Sequence, residues 1–329
     1  MRLARYEHDG RELSGVVLGD DGEERVHALP GGASVLDLVV AGLPAARDAG
    51  DEAARGPSVP VADVRLLPPV TAPSVRDFVT FEEHVEGMVR GGSPDAQVGA
   101  AWYEAPTFYF TNPHGLVGAH DDVPVPPGTS QLDFELEVAC VVGRAGRDLS
   151  LPQAREAVFG YALFNDWSAR DLQRREMAVG LGPCKGKDSA TTLGPWLVTA
   201  DELEHLRDDE GFLALELVAQ VNGAEVGRDL LSNASWTFEE MLVYASRGTW
   251  VRPGDVLGSG TCGNGGCLAE LWGRRGRQDP PPLVPGDVVR LSAEGLGSVE
   301  NRVVAGPALS DLPAVVPARR RPRERHRRA

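Results

Sequence analysis

A chain of 329 residues that is 42% hydrophobic and 25% charged can bury one large core, or a small one and a large one. Its formal net charge of -15 repels phosphate backbones and anionic bilayers, so no nucleic acid and no membrane is expected as a partner. No apolar run approaches the roughly 18 residues of a membrane span, and the charged opening MRLARYEHDGREL has no apolar signal core, so a cytoplasmic protein is expected.

MRLARYEHDG, SGVVLGDDG and RVHAL are short strand-like runs separated by turns, followed by a helix-like SVLDLVVAGL with Ser34 as its N-cap. Residues 43–60, rich in Ala, Gly, Pro and charge, read as a surface helix or linker. VRLLPPVTAPS then opens something new, which sets a small N-terminal α/β domain at 1–70. From 71 to 317 the signals are mainly β: QLDFELEVACVVG, FLALELVAQVNGAEVGRD, DVLGSG and GDVVRLSAEGLGSVENRVV are apolar or alternating runs broken by Gly, Pro and Asn. Asn-Gly in VAQVNGAEVG signals a hairpin, and RPGDVL and VPGDVV each lead a Pro-Gly turn into a strand. Helices are few: SLPQAREAVFG, SARDLQRREMA and WTFEEMLVYASR. The arginine-rich end at 318–329 reads as a disordered, solubilising tail. The four cysteines (Cys140, Cys184, Cys262, Cys267) form no C-x-x-C pair and read as buried free thiols. The fold class is α+β, mainly β.

The chemistry gathers in a few stretches. In QLDFELEVACVVG, strand alternation points Asp133, Glu135 and Glu137 one way, and Phe134, Leu136 and Val138 the other. Three carboxylates on one face of a strand that runs into a core repel one another. Either water covers that face or a cation neutralises it; an all-oxygen set suits Mg²⁺, with Ca²⁺ or Mn²⁺ as alternatives, better than zinc. Asp166 in FNDWSARDLQ, and Asp77 and His84 in RDFVTFEEHVEGMVR, are further candidates. Lys185 and Lys187 are the only lysines in a chain that otherwise uses arginine, and a compact ammonium does what a guanidinium fork cannot.

Together these pieces resemble the fumarylacetoacetate hydrolase family. The resemblance rests on D-F-x5-H (Asp77 to His84), LDFELE, NDWSARDLQ, GKDSATTLGPW, VNG, RPGDVLGSGT, and PGDVV with GLGSVENRV, in the family's order over residues 71–306. It implies a mixed β-sandwich roll behind a small N-terminal domain, and a homodimer. It implies a divalent ion held by Asp77, Glu135, Glu137 and Asp166, and a small diketo or 2-oxo acid substrate. Lys187 would stabilise negative charge developing on a substrate carbonyl, with Gln173 as a second donor. Arg170 would orient the substrate's carboxylate or enolate, while Lys185 matches no family position and reads as a surface loop residue.

Family members divide by whether a base activates water. His84 is the candidate for that base, and such a base needs a carboxylate to hold its tautomer. In the fumarylacetoacetase branch this lies after the G-S-G-T turn, where Glu270 stands here; in the acylpyruvase and decarboxylase branch it sits on the helix after the His, where this chain has Gly87. The pair His84–Glu270 favours hydrolysis. Thr261 and Arg90 are candidate substrate contacts, and Met177 replaces a substrate-contacting tyrosine. The alternatives are a 2-oxo acid decarboxylase, an enol–keto isomerase, and a non-catalytic metal-binding scaffold.

Overall fold

In the computed structural model, residues 1–308 are described apart from 21 and 94, so the arginine-rich tail lies outside the described residues. The frame is a 12-stranded mixed sheet. Its main path runs Ser58–Pro60, Arg25–Ala28, Arg11–Leu18, Arg2–His8, Thr191–Thr199, Val158–Asp166, Leu136–Val142, Val256–Gly258, Val75–Phe78, Phe108–Thr111. The N-terminal segment is continuous with the rest through this sheet: Arg2 and Leu3 pair with Val198 and Leu197. A second, five-stranded sheet runs Ala224–Leu230, Glu216–Val221, Val288–Ala293, Gly297–Val304, Val123–Pro124, and its first pair is the hairpin expected at Asn222-Gly223. The α+β, mainly β class holds.

The apolar run after the acidic residues is explained by burial on both faces. Val138, Cys140 and Val142 join a core that reaches Leu217, Ala219 and Leu291 of the second sheet. Ala139 and Val141 point into another core, closed by Val35, Leu38 and Val39 of the helix Val35–Ala41 and by Ala46 and Ala53 of Leu43–Ala53. Ser34 caps the first of these helices in a capping box with Asp37. The sheet therefore carries apolar side chains on both sides, which a strand seen in isolation does not reveal.

Three expectations change. SLPQAREAVFG is a helix only over Leu151–Ala157; Val158 onward opens the central strand Val158–Asp166, whose pairing on both sides overrides the helical pattern. Leu268–Arg275 is a helix that the sequence pattern missed, because its N-cap is Cys267 behind a Gly-rich loop rather than Ser, Thr, Asp or Asn. Of the free cysteines, Cys184 is exposed and the other three are buried. Among the described residues, no helix is long and apolar enough to cross a membrane.

Candidate active site

Strand parity builds the carboxylate cluster. Asp77 shares a face with Val75, Asp166 with Phe164, and Glu137 with Ala139, so each acid stands at the end of a row whose other members fill the second core. The strands bearing them are registered Leu136 to Asn165, Ala139 to Gly258 and Gly258 to Asp77, and Asn165 Oδ1 accepts the Glu135 amide at 2.9 Å. Gly258 makes the convergence possible: a Cβ there would come within 2.7 Å of Asp77 Oδ1 and 3.0 Å of Glu137 Oε2.

Asp77, Glu135 and Glu137 can each present an oxygen within 4.8 Å of the others, and all are buried. Burial drives the pKa of Glu137 well above the usual range, and the neighbouring Asp77 and Glu135 push the same way. Asp166 is raised by burial and by Asp77 and Glu135, against the pull of Lys187. Burial works against ionisation of Glu135 too, but Lys187 and Arg170 outweigh it and hold its pKa far below the ordinary value. Burial alone would depress the Lys187 ammonium, yet Asp166 and Glu135 overrule it and keep it charged.

Lys187 Nζ donates to Glu135 Oε2 at 2.5 Å and to Asp166 Oδ2 at 2.6 Å. The loop that delivers it is pinned by Glu176, whose carboxylate accepts the amides of Cys184, Lys185 and Gly186 at 2.9, 2.8 and 3.0 Å. Lys185 is exposed and pairs with Asp188, as a surface loop residue does. Glu137 accepts the Gly260 amide at 2.9 Å, and Thr261 Oγ1 lies 3.4 Å from its other oxygen.

A hard divalent ion fits this donor set. Asp77 Oδ1 and Asp166 Oδ1 are buried without a hydrogen-bond partner, an expensive arrangement unless something positive faces them. The donors are oxygens only, which suits Mg²⁺, Ca²⁺ or Mn²⁺.

Beside the cluster, the helices Glu82–Arg90 and Leu268–Arg275 pack together and bring His84 Nδ1 to 3.8 Å from Glu270 Oε2, with both residues buried. This is an ion-pair distance rather than a hydrogen bond. The other oxygen of Glu270 is held by Arg274 at 3.0 Å and by the Gly265 amide at 3.3 Å, which leaves Oε2 without another partner. Gly87 is where the two helices touch: a Cβ there would lie 2.3 Å from Glu270 Cγ. A side chain at 87 and the carboxylate of Glu270 thus compete for one space. Gly87→Ala is expected to cost about 1–3 kcal/mol of stability by overpacking, measured by urea unfolding; an unchanged midpoint would mean the helices part freely.

Three candidate substrate contacts differ in burial. Arg170 is buried under the cluster, bonded through Nε to Asp133 Oδ2 at 2.8 Å and through Nη1 to Glu135 Oε1 at 2.7 Å. These bonds fix the acidic strand. Arg90 is exposed and pairs with Glu86 of its own helix at 3.4 Å. Met177 is 57% exposed at the end of its helix, and neither it nor Arg90 enters the ion-pair network of the carboxylates. Gln173 stays close, its amide oxygen accepting from Arg170 Nη1 at 3.2 Å.

Sequence reasoning missed Tyr109, whose hydroxyl sits between Asp77 Oδ2 at 2.8 Å and Asp166 Oδ2, and whose one proton serves one of them at a time. In TFYFT it is one aromatic among three, with no signal to single it out. Asp133 was seen as acidic but not as a buried clasp: it accepts the Leu268 and Ala269 amides at 2.8 and 2.9 Å and so ties the acidic strand to the N-terminus of the Glu270 helix. A groove of about 970 Å³, lined by Arg2, Trp196 and Arg290 among others, shares none of these residues.

The family model described as the C-terminal part of fumarylacetoacetate (FAA) hydrolase matches residues 74–304, and one described as Rv2993c-like, N-terminal, matches residues 1–69. The chain belongs to the fumarylacetoacetate hydrolase family. A fumarylacetoacetase of Arabidopsis thaliana is 30% identical over an alignment of 259 residues that covers 64% of this chain and 61% of that one. An oxaloacetate tautomerase of Bacillus subtilis is 27% identical over 249 residues, 74% of each chain. Among solved structures, the fumarylacetoacetate hydrolase of Exiguobacterium antarcticum superposes with a TM-score of 0.72 at 28% identity, covering 93% of this chain and 99% of that one. Relatives of this chain are thus enzymes, hydrolases and tautomerases both.

Proposed function

We propose that the protein is a metal-dependent hydrolase that cleaves a carbon–carbon bond in a small β-diketo acid, working in the cytoplasm as a homodimer. The observation that carries this reading is the buried carboxylate of Glu270 facing His84 across the space that Gly87 leaves open. That pair is what water activation requires and what tautomerisation alone does not.

Asp77, Glu135, Glu137 and Asp166 would hold the divalent ion, which when bound would act as a Lewis acid toward the substrate's carbonyl oxygens. The chain's own residues do the rest. Glu270 keeps the proton of neutral His84 on Nδ1, leaving Nε2 to take a proton from water. The hydroxide so formed adds to the substrate carbonyl, and the Lys187 ammonium, with the Gln173 amide, donates to the oxygen as it becomes negative. The carbon–carbon bond then breaks, its electron pair leaving as an enolate. The proton held on His84 passes to that carbon, giving two acids or an acid and a ketone. Thr261, beside Glu137, lines the same space.

The relatives that tautomerise oxaloacetate support a second reading, enol–keto proton transfer by the same His84 without addition of water. The two part on products. Turnover of fumarylacetoacetate, acetylpyruvate and oxaloacetate with Mg²⁺ or Mn²⁺ is expected to yield cleavage products from a diketo acid. Enol-to-keto exchange of oxaloacetate, with no cleavage of any diketo acid, would overturn hydrolysis. The ion itself is testable without substrate: at 100 times its Kd, Mg²⁺ or Mn²⁺ should stabilise the fold by about 2.7 kcal/mol. This reads as a rise in melting temperature that EDTA reverses, and no rise at any concentration would mean that the four acids hold no ion.

A further inference from the structure

One donor beside His84 is left unused by the hydrolytic reading. Cys267 is the N-cap of the helix Leu268–Arg275, its Sγ accepting the Glu270 amide at 3.4 Å, and it is fully buried. The same sulfur lies 3.8 Å from His84 Nδ1. Glu135 completes a triad with them: each of the three residues offers one ligand atom, and these atoms lie within 4.8 Å of one another. A cysteine at an N-cap has a packing role of its own. What sets this one apart is an imidazole and a carboxylate at ligand spacing from it.

The spacing suits a tetrahedral ion. With Zn–N of about 2.0–2.1 Å and Zn–S of about 2.3 Å, the N···S edge of a tetrahedral site is about 3.5 Å, so the observed 3.8 Å closes with a small side-chain rotation. The chemistry also differs from that of the neighbouring cluster. Asp77, Glu137 and Asp166 offer oxygen alone and suit a hard ion, whereas thiolate plus imidazole selects zinc, cobalt or cadmium. Glu270 Oε2, buried and unpartnered, adds negative charge on the same side of the imidazole.

We propose that His84, Cys267 and Glu135 form a second metal site, for a thiophilic divalent ion such as Zn²⁺, which shares Glu135 with the hard-ion site. An ion on His84 Nδ1 occupies the position that faces Glu270, so its binding silences the base and zinc acts as an inhibitor of the magnesium- or manganese-loaded protein. The inhibitory consequence rests on His84 being the base; the existence of the site does not.

The test uses the full chain in a Cys184→Ser background, which removes the exposed thiol, loaded with Mg²⁺ and titrated with Co²⁺. A near-ultraviolet thiolate-to-cobalt charge-transfer band saturating at one equivalent is expected, together with the visible bands of a tetrahedral ion. Cys267→Ser keeps an N-cap acceptor and so should fold, but it should lose the charge-transfer band; His84→Asn should weaken cobalt binding independently. In parallel, Zn²⁺ should inhibit turnover, and Cys267→Ser should weaken that inhibition by at least roughly tenfold, the smaller of the losses that even an outer partner of a metal ligand causes. No thiolate band, or a band unchanged in Cys267→Ser, overturns the site. A Cys267-dependent band with turnover untouched by zinc supports the site and removes His84 from the role of base.

Discussion

Glu270→Gln is expected to lower hydrolytic turnover by about 10²- to 10⁴-fold while leaving the fold and ion binding intact. The amide has the shape of the carboxylate it replaces, so the packing against Gly87 survives, and Glu270 belongs to none of the ion's four expected ligands. What is lost is the negative oxygen beside His84 Nδ1. A carboxamide there can present its NH₂ to the imidazole and stabilise the wrong tautomer, and it cannot stabilise the imidazolium that forms as water loses its proton. The measurement is kcat beside the Mg²⁺-induced rise in melting temperature. Turnover within a few-fold of wild type would show that His84 works without Glu270. A lost melting-temperature rise would show that the substitution disturbed the carboxylate cluster instead.

The second large effect is at Lys187. Its ammonium bonds two buried carboxylates, so Lys187→Met should act twice. Removing one partner of a buried ion pair costs about 3–5 kcal/mol, and here Glu135 and Asp166 would be left facing each other. A divalent ion supplies positive charge to the same oxygens, so added Mg²⁺ should restore much of the lost stability. It should not restore turnover, which is expected to stay about 10²- to 10³-fold down for want of the donor to the developing oxyanion. Lys187→Arg is not a conservative control, because the planar fork cannot occupy the position of a compact ammonium between these acids. If Mg²⁺ returned both stability and activity, Lys187 would be a structural cation and not part of the chemistry.

Much of this was legible in the residues themselves. Alternation placed Asp133, Glu135 and Glu137 on one face and Phe134, Leu136 and Val138 on the other; the last three fill one core, but Asp133 lies on the separate strand Leu132–Asp133 and turns to the Leu268 and Ala269 amides. The Asn222-Gly223 turn gave its hairpin because few other dipeptides adopt two successive positive φ angles, and both residues do so here. Long-range placement was not legible. Nothing in RDLQ distinguishes an arginine reaching a ligand from one buried under Asp133 and Glu135; that difference arises from which strands pair. The same holds for Tyr109, which reaches Asp77 and Asp166 only because Phe108–Thr111 is laid against Val75–Phe78. The helix bearing Glu270 was hidden by its cysteine cap, yet it determines the role of Gly87, a residue that local propensity would read only as a weak point in a helix.

Hydrolysis by activated water is tested most directly by turnover of the cleaved diketo acid in ¹⁸O-labelled water, with the products read by mass. One ¹⁸O atom in the new carboxylate, with both label and product lost in His84→Ala and Glu270→Ala, is the expected result. Product formation with no label in the carboxylate, or label undiminished in the two variants, would contradict it.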